Sequence, residues 1–291
     1  MNKFFTLSLA SISLLGLGAC AVNEVLREQV AMRVASPAWM IKRTIETDPY
    51  ALTAFERMHE RDKTAALYIG GDGEAHKIKG ALFDPTPRNP VALHLAAMDK
   101  SENVAYLARP CQYTGLLDHD IECSSDDWHT NKYSSQTLSA YGATLDGIKA
   151  RYGVTGFHIV GYNGGATLAA LLSAQRNDIL TLRTVAGRFD LDALGSSLLT
   201  LSRLPQHHFI GGQDTITPPN ELHGYLQALG QTECADYTLI QDAEHEKGWV
   251  NKWPELLKTK PPTCFVPAAP TFVPIERPEP IYVPRMGGSK K

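Results

Sequence analysis

Gly156-Phe157-His158-Ile159-Val160-Gly161-Tyr162-Asn163-Gly164-Gly165-Ala166 is the stretch that decides the fold. Residues 156–160 (GFHIV) form a β-rich run, and residues 166–175 (ATLAALLSAQ) are apolar on all sides, as a buried helix is. A strand that passes through a glycine pentad straight into a helix has the form of a G-x-S-x-G nucleophile elbow. The glycines have a steric reason, since a sharp strand-to-helix turn leaves little room for Cβ atoms. The centre of this pentad holds Asn163 where the motif has serine. Asparagine suits the bend, because it tolerates positive φ better than most residues with a side chain.

The neighbouring segments extend the pattern. Residues 135–152 read as an amphipathic helix: Leu138, Tyr141, Leu145, Ile148 and Tyr152 recur at spacings of three and four. Ser134 or Ser135 can cap it, and Gly153 stops it. Upstream, residues 64–69 (TAALYI) form an apolar strand closed by Gly70-Gly71-Asp72-Gly73, followed by a helix over 91–98 and a strand over 104–107. Two more strand-like segments, 39–46 and 50–57, flank a turn at Asp48-Pro49. Downstream come strands at 181–185 and 207–210, a helix at 220–230 and a strand at 237–241. Strands alternating with helices predict an α/β fold, a mostly parallel central sheet with helices on both faces.

Composition sets the outer limits. The 291 residues are 43% hydrophobic and 20% charged, an ordinary globular balance. Lys+Arg 28 against Asp+Glu 31 gives a net charge of −3, which speaks against a nucleic-acid binder driven by phosphate neutralisation. Eight of the 18 prolines fall in residues 261–291, a tail expected to be extended rather than packed.

At the N-terminus Lys3 precedes an apolar run over 4–18, the pattern of an export signal. Leu17-Gly18-Ala19-Cys20 is similar to the lipobox of bacterial lipoproteins. That likeness implies cleavage before Cys20 and its acylation. Ala21 in place of Asp implies an outer-membrane lipoprotein facing the periplasm. The alternative is an ordinary signal peptide with a chance cysteine. The resulting division is a signal peptide at 1–19, a lipidated tether at 20–36, one domain at 37–260 and the Pro-rich tail at 261–291. No later segment approaches the ~18 apolar residues of a membrane span, so the expected membrane contact is the lipid anchor alone.

Four further cysteines, Cys111, Cys123, Cys234 and Cys264, make an even number for an oxidising compartment. Three pairings are possible, and closeness in sequence favours Cys111–Cys123 with Cys234–Cys264. No Cys/His spacing suits a metal, so no metal site is expected. The adjacent His207 and His208 point to opposite faces of a strand and are expected to be structural.

Asp214 follows the strand at 207–210 and His245 follows the strand at 237–241. Both fall at carboxyl ends of strands, in the order nucleophile position, acid, histidine. Backbone amides of Gly71 and Asp72, with that of Gly164, can face a developing oxyanion. These residues stand with 67–73 (LYIGGDG), 84–90 (DPTPRNP), 103–112 (NVAYLARPCQ), 159–166, 184–190 (TVAGRFD) and 245–249. On them, over residues 37–257, the chain resembles the α/β-hydrolase superfamily, and more closely bacterial α/β-hydrolase-fold lipoproteins of undefined substrate.

The resemblance implies ester, thioester or amide hydrolysis by a Ser–Asp–His triad. It implies a small-molecule or acyl substrate and no metal or cofactor, with Asp214 and His245 as acid and base. A monomer is expected. Asn163 departs from the pattern: its amide nitrogen has a delocalised lone pair and is no comparable nucleophile. The expected protein is therefore an impaired or inactive hydrolase. Three readings stay open. One is a degenerate hydrolase kept as a non-catalytic binding or structural lipoprotein. Another is an enzyme working through water activated by His245, or through an aspartate formed by deamidation at Asn163-Gly164. The last is a variant, a deliberate inactivation or a sequence artefact in an otherwise active serine hydrolase, since Asn and Ser codons can differ by one base.

Overall fold

The computed structural model describes residues 26–73, 85–114 and 124–264. Its strands are β1 (Ile41–Glu46), β2 (Ala51–Met58), β3 (Ala65–Ile69), β4 (Asn103–Leu107), β5 (Phe157–Tyr162), β6 (Ile179–Val185), β7 (Gln206–Gly211) and β8 (Ala235–Ile240). They form one sheet in the order β1-β2-β4-β3-β5-β6-β7-β8. β2 runs antiparallel to both of its neighbours, and all other pairs are parallel. The mostly parallel sheet expected from the sequence is present, with the first hairpin as its antiparallel exception.

The helices are α1 (residues 26–35), α2 (Val91–Met98), α3 (Ser125–Trp128), α4 (Ser135–Tyr152), α5 (Gly165–Gln175), α6 (Leu191–Leu194), α7 (Ser197–Leu201), α8 (Pro219–Leu229) and α9 (Trp253–Leu256). Because strand side chains alternate, β5 feeds two cores. Phe157 and Ile159 pack with Leu145, Leu168 and Leu222 from α4, α5 and α8. Val160 and Tyr162 pack on the other face with Ala31, Leu93 and Trp253 from α1, α2 and α9. α5 is buried from Gly165 to Ser173, as its all-round apolar sequence requires. α4 begins where the Ser134 hydroxyl accepts the Thr137 amide and ends at Gly153 with φ +70°. A cap of this kind contributes about 1 kcal/mol.

The structure adds two things. Residues 26–35 are not a free tether: α1 buries Arg27, Ala31 and Ala35, spaced four apart, and the Arg27 guanidinium donates to the Thr86 carbonyl at 2.9 Å. The packed region thus starts upstream of residue 37. Between β6 and β7, α6 and α7 are single turns, too short to leave a periodic apolar signal.

His207 and His208 serve the sheet. His208 is fully buried between Thr184 and Gln206, and burial pulls its pKa down to about 3. Cys234 and Cys264 are disulfide-bonded. The Cys111–Cys123 pairing lies outside the described residues because Cys123 does, as do Cys20 and the tail beyond residue 264. Among the described residues, no helix is long and apolar enough to cross a membrane.

Candidate active site

β5 ends at Tyr162, and the next residue, Asn163, has a φ of +51° that puts it in the left-handed region at the bend. The flanking glycines are needed for close approach. A Cβ on Gly161 would lie 2.6 Å from the Ala166 Cα, and one on Gly165 would lie 2.5 Å from the Gly70 carbonyl oxygen. The bend is tied to the neighbouring strand, since the Asn163 amide donates to the Val185 carbonyl at 3.2 Å. In return the Asn163 carbonyl accepts the amides of Ala166 and Arg188, each at 3.0 Å. The TVAGRFD segment thereby buttresses the elbow from outside.

The three expected residues converge. His245 Nε2 lies 2.7 Å from Asn163 Nδ2, and His245 Nδ1 lies 2.9 Å from Asp214 Oδ2. The Gly164 amide donates to Asn163 Oδ1 at 2.5 Å, which fixes the orientation of the side-chain amide. Nδ2 is therefore a donor to His245 Nε2, and the imidazole proton sits on Nδ1, facing Asp214. This is the tautomer a general base needs.

Sequence reading missed the groups that hold this arrangement. Thr217 donates its hydroxyl to Asp214 Oδ2 at 2.7 Å, and its amide reaches Oδ1 at 2.8 Å, as does that of Ile216. Burial alone would raise the Asp214 pKa. The hydrogen bonds from His245 and from the Thr217 amide and hydroxyl outweigh it and hold the pKa below its ordinary value. Tyr162 and Trp249 donate to the His245 carbonyl at 3.1 and 3.0 Å and set the imidazole's backbone. The Ile216 amide, two residues beyond Asp214, closes an Asx-type turn, and an aspartate before a turn was the only sequence signal for this support.

The loop after β3 meets the elbow from above: a Cβ on Gly71 would lie 3.1 Å from the Asn163 Cβ. Gln112, fully buried, donates to the carbonyls of Gly71 and Pro85 at 3.1 and 3.2 Å and accepts the Arg109 amide. Asp72 pairs with buried Arg109 and with Lys132, both at 3.1 Å. Burial would raise its pKa, but the two cations prevail and lower it. Tyr133 donates its hydroxyl to the Gly164 carbonyl at 3.0 Å and lies beside both cations. The NVAYLARPCQ segment therefore serves to anchor the glycine loop.

The amides of Gly71 and Asp72 have no hydrogen-bond partner among the described residues. The Gly164 amide, expected as the second donor, is instead engaged by the Asn163 side chain. The cleft over these groups is lined by Pro87, Asn89, Tyr106, Ile216 and Glu246. What the site holds is a hydrogen-bonded Asp214–His245 pair whose free ring nitrogen faces an amide, Asn163 Nδ2, rather than a hydroxyl or thiol.

Neither a family model nor a curated protein matches the sequence. Solved structures do match. An alpha-beta serine hydrolase homologue from Coxiella burnetii superposes with a TM-score of 0.55 at 14% identity, covering 75% of this chain and 94% of that one. A putative alpha/beta hydrolase from Agrobacterium tumefaciens gives 0.55 at 14% identity, over 75% and 92%. An esterase from Pyrococcus furiosus gives 0.52 at 14% identity, over 77% and 91%. With its strand order and its strand–elbow–helix core, the chain has the α/β-hydrolase fold.

Proposed function

We propose that this protein is a monomeric, lipid-anchored hydrolase-fold protein of the bacterial cell envelope, on the outer membrane and facing the periplasm. Its turnover of esters, thioesters or amides is impaired or absent. One observation carries the reading: an amide nitrogen, Asn163 Nδ2, sits 2.7 Å from His245 Nε2, where a nucleophile would give up its proton. Loss of the serine in a serine-protease triad costs about 10⁶ in turnover. The anchor rests on Leu17-Gly18-Ala19-Cys20. A second reading, a non-catalytic binding lipoprotein, is supported by the way Asn163 joins His245 to the Gly164 amide. That bridge gives the cleft a closed, hydrogen-bonded floor.

The test is turnover of short acyl p-nitrophenyl esters and labelling by a fluorophosphonate. Native protein, Asn163→Ser and His245→Ala are compared. Activity confined to Asn163→Ser supports intact but unarmed machinery. Efficient turnover by the native chain, abolished in His245→Ala, refutes the impairment. For the anchor, the mass of the protein from bacterial membranes should carry acyl chains that Cys20→Ala lacks.

A further inference from the structure

The side-chain amide of Asn163 lies in the site as a substrate amide would. Its oxygen, Oδ1, accepts the Gly164 amide at 2.5 Å, a donor placed for an oxyanion. Its nitrogen, Nδ2, lies 2.7 Å from His245 Nε2, the atom that would protonate a departing amine. Asp214 steadies the far side of the ring at 2.9 Å. Asn163 is half-buried and lines the cleft, the side from which a water molecule would approach its amide.

We propose that Asn163 is a self-modification site, at which the His245–Asp214 pair hydrolyses this amide to a carboxylate. The inference rests on the site reading given above. His245 Nε2 takes a proton from a water molecule as the water oxygen bonds to Cγ. The carbonyl electron pair moves onto Oδ1, where the Gly164 amide holds the charge. On collapse the imidazolium returns its proton to Nδ2, the Cγ–Nδ2 bond breaks and ammonia leaves. The new carboxylic acid then ionises to the ammonia. One water is consumed, one asparagine becomes aspartate, and nothing is oxidised or reduced.

An Asn-Gly pair has a second route to the same mass, in which the glycine nitrogen attacks Cγ and closes a succinimide. Asn163 is the one asparagine in this sequence followed by glycine. Here that route is hindered. The Gly164 amide points its proton at Oδ1, its carbonyl is held by Tyr133 at 3.0 Å, and the Asp72 carboxylate fills the space beside its Cα. Swinging the nitrogen onto Cγ would break these contacts. The two routes differ in product, because succinimide opening gives isoaspartate as well as aspartate. They also differ in their need for His245.

The experiment follows the purified protein at neutral pH over days by peptide mapping, with far-UV circular dichroism as the check on folding. Native protein, His245→Gln and Asp214→Asn are compared. The native chain should gain one dalton at position 163 as aspartate without isoaspartate. His245→Gln should slow this by at least roughly 100-fold, the low end for general acid–base catalysis. Asp214→Asn should slow it as well, and it keeps the test open if His245→Gln does not fold. No conversion in the native chain, conversion at native rate in a folded variant, or isoaspartate in quantity would each overturn the proposal. Ester turnover by Asn163→Ser judges the site reading separately, so the two can fail independently.

Discussion

Asn163→Ser should arm the site, but not fully. Asparagine reaches further from the backbone than serine. The 2.7 Å contact from Nδ2 to His245 Nε2 would open by about 1 Å when Oγ takes its place, beyond the usual hydrogen-bond range. Restoring a triad serine is worth about 10⁶ in turnover, and a misplacement of about 1 Å costs about 10². The expected gain is therefore about 10⁴, or about 5.5 kcal/mol of barrier. The assay is kcat/KM on short acyl p-nitrophenyl esters, with fluorophosphonate labelling at position 163 counted by mass. The double variant Asn163→Ser/His245→Ala supplies the baseline. If Asn163→Ser neither labels nor exceeds that baseline, the acid–base pair is not poised for the elbow and the reasoning fails.

Other expectations follow from the contacts around the site and the core. Thr217→Val removes the hydroxyl donated to Asp214 and leaves a buried carboxylate short of a partner, which should cost about 1–3 kcal/mol in urea unfolding. In the same variant the Asp214 carboxyl, followed by NMR, should titrate at higher pH. Asp178 is held by Arg176 and Lys149, each at 2.7 Å, and those partners overcome its burial to pull its pKa down to about 2. A depressed carboxyl stabilises the fold above its unfolded pKa, and that contribution is lost as pH falls through about 2. Solvent screening around this surface pair reduces the effect, so Asp178→Asn should cost about 1 kcal/mol at neutral pH and much less near pH 2, a difference visible in denaturant titrations. Reducing Cys234–Cys264 frees a loop with a sequence separation of 30 that contains His245, which should cost about 3–4 kcal/mol. An unchanged Tm in reductant, with reduction verified by mass, would contradict this.

Much of this architecture was legible in the chain itself, for specific reasons. The elbow announced itself because a glycine pentad between a β-run and an all-apolar helix has few other uses. Asp214 and His245 could be placed because each follows a strand, and parallel strands send their carboxyl ends to one edge. Thr217, Gln112 and Lys132 could not be assigned roles. Their function lies in contacts between loops far apart in sequence, such as Gln112 with Gly71 or Lys132 with Asp72. The antiparallel course of β2 was equally hidden, since strand residues buried on both faces carry no sign of direction. The engagement of the Gly164 amide by Asn163 depends on one side-chain rotation, and no spacing rule reports that.

The docking of α1 has a bearing on where this protein can act. A leash running unpacked from Cys20 to residue 37 would extend up to about 60 Å. Because α1 is already seated on the body at Arg27, only seven Cα steps separate that contact from Cys20, a span of at most about 25 Å. With Cys20 acylated as proposed, the first buried residue of α1 would lie within that span of the lipid headgroups. The anchor would then hold the body at the membrane through α1, by a tether much shorter than residues 20–37 would give unpacked.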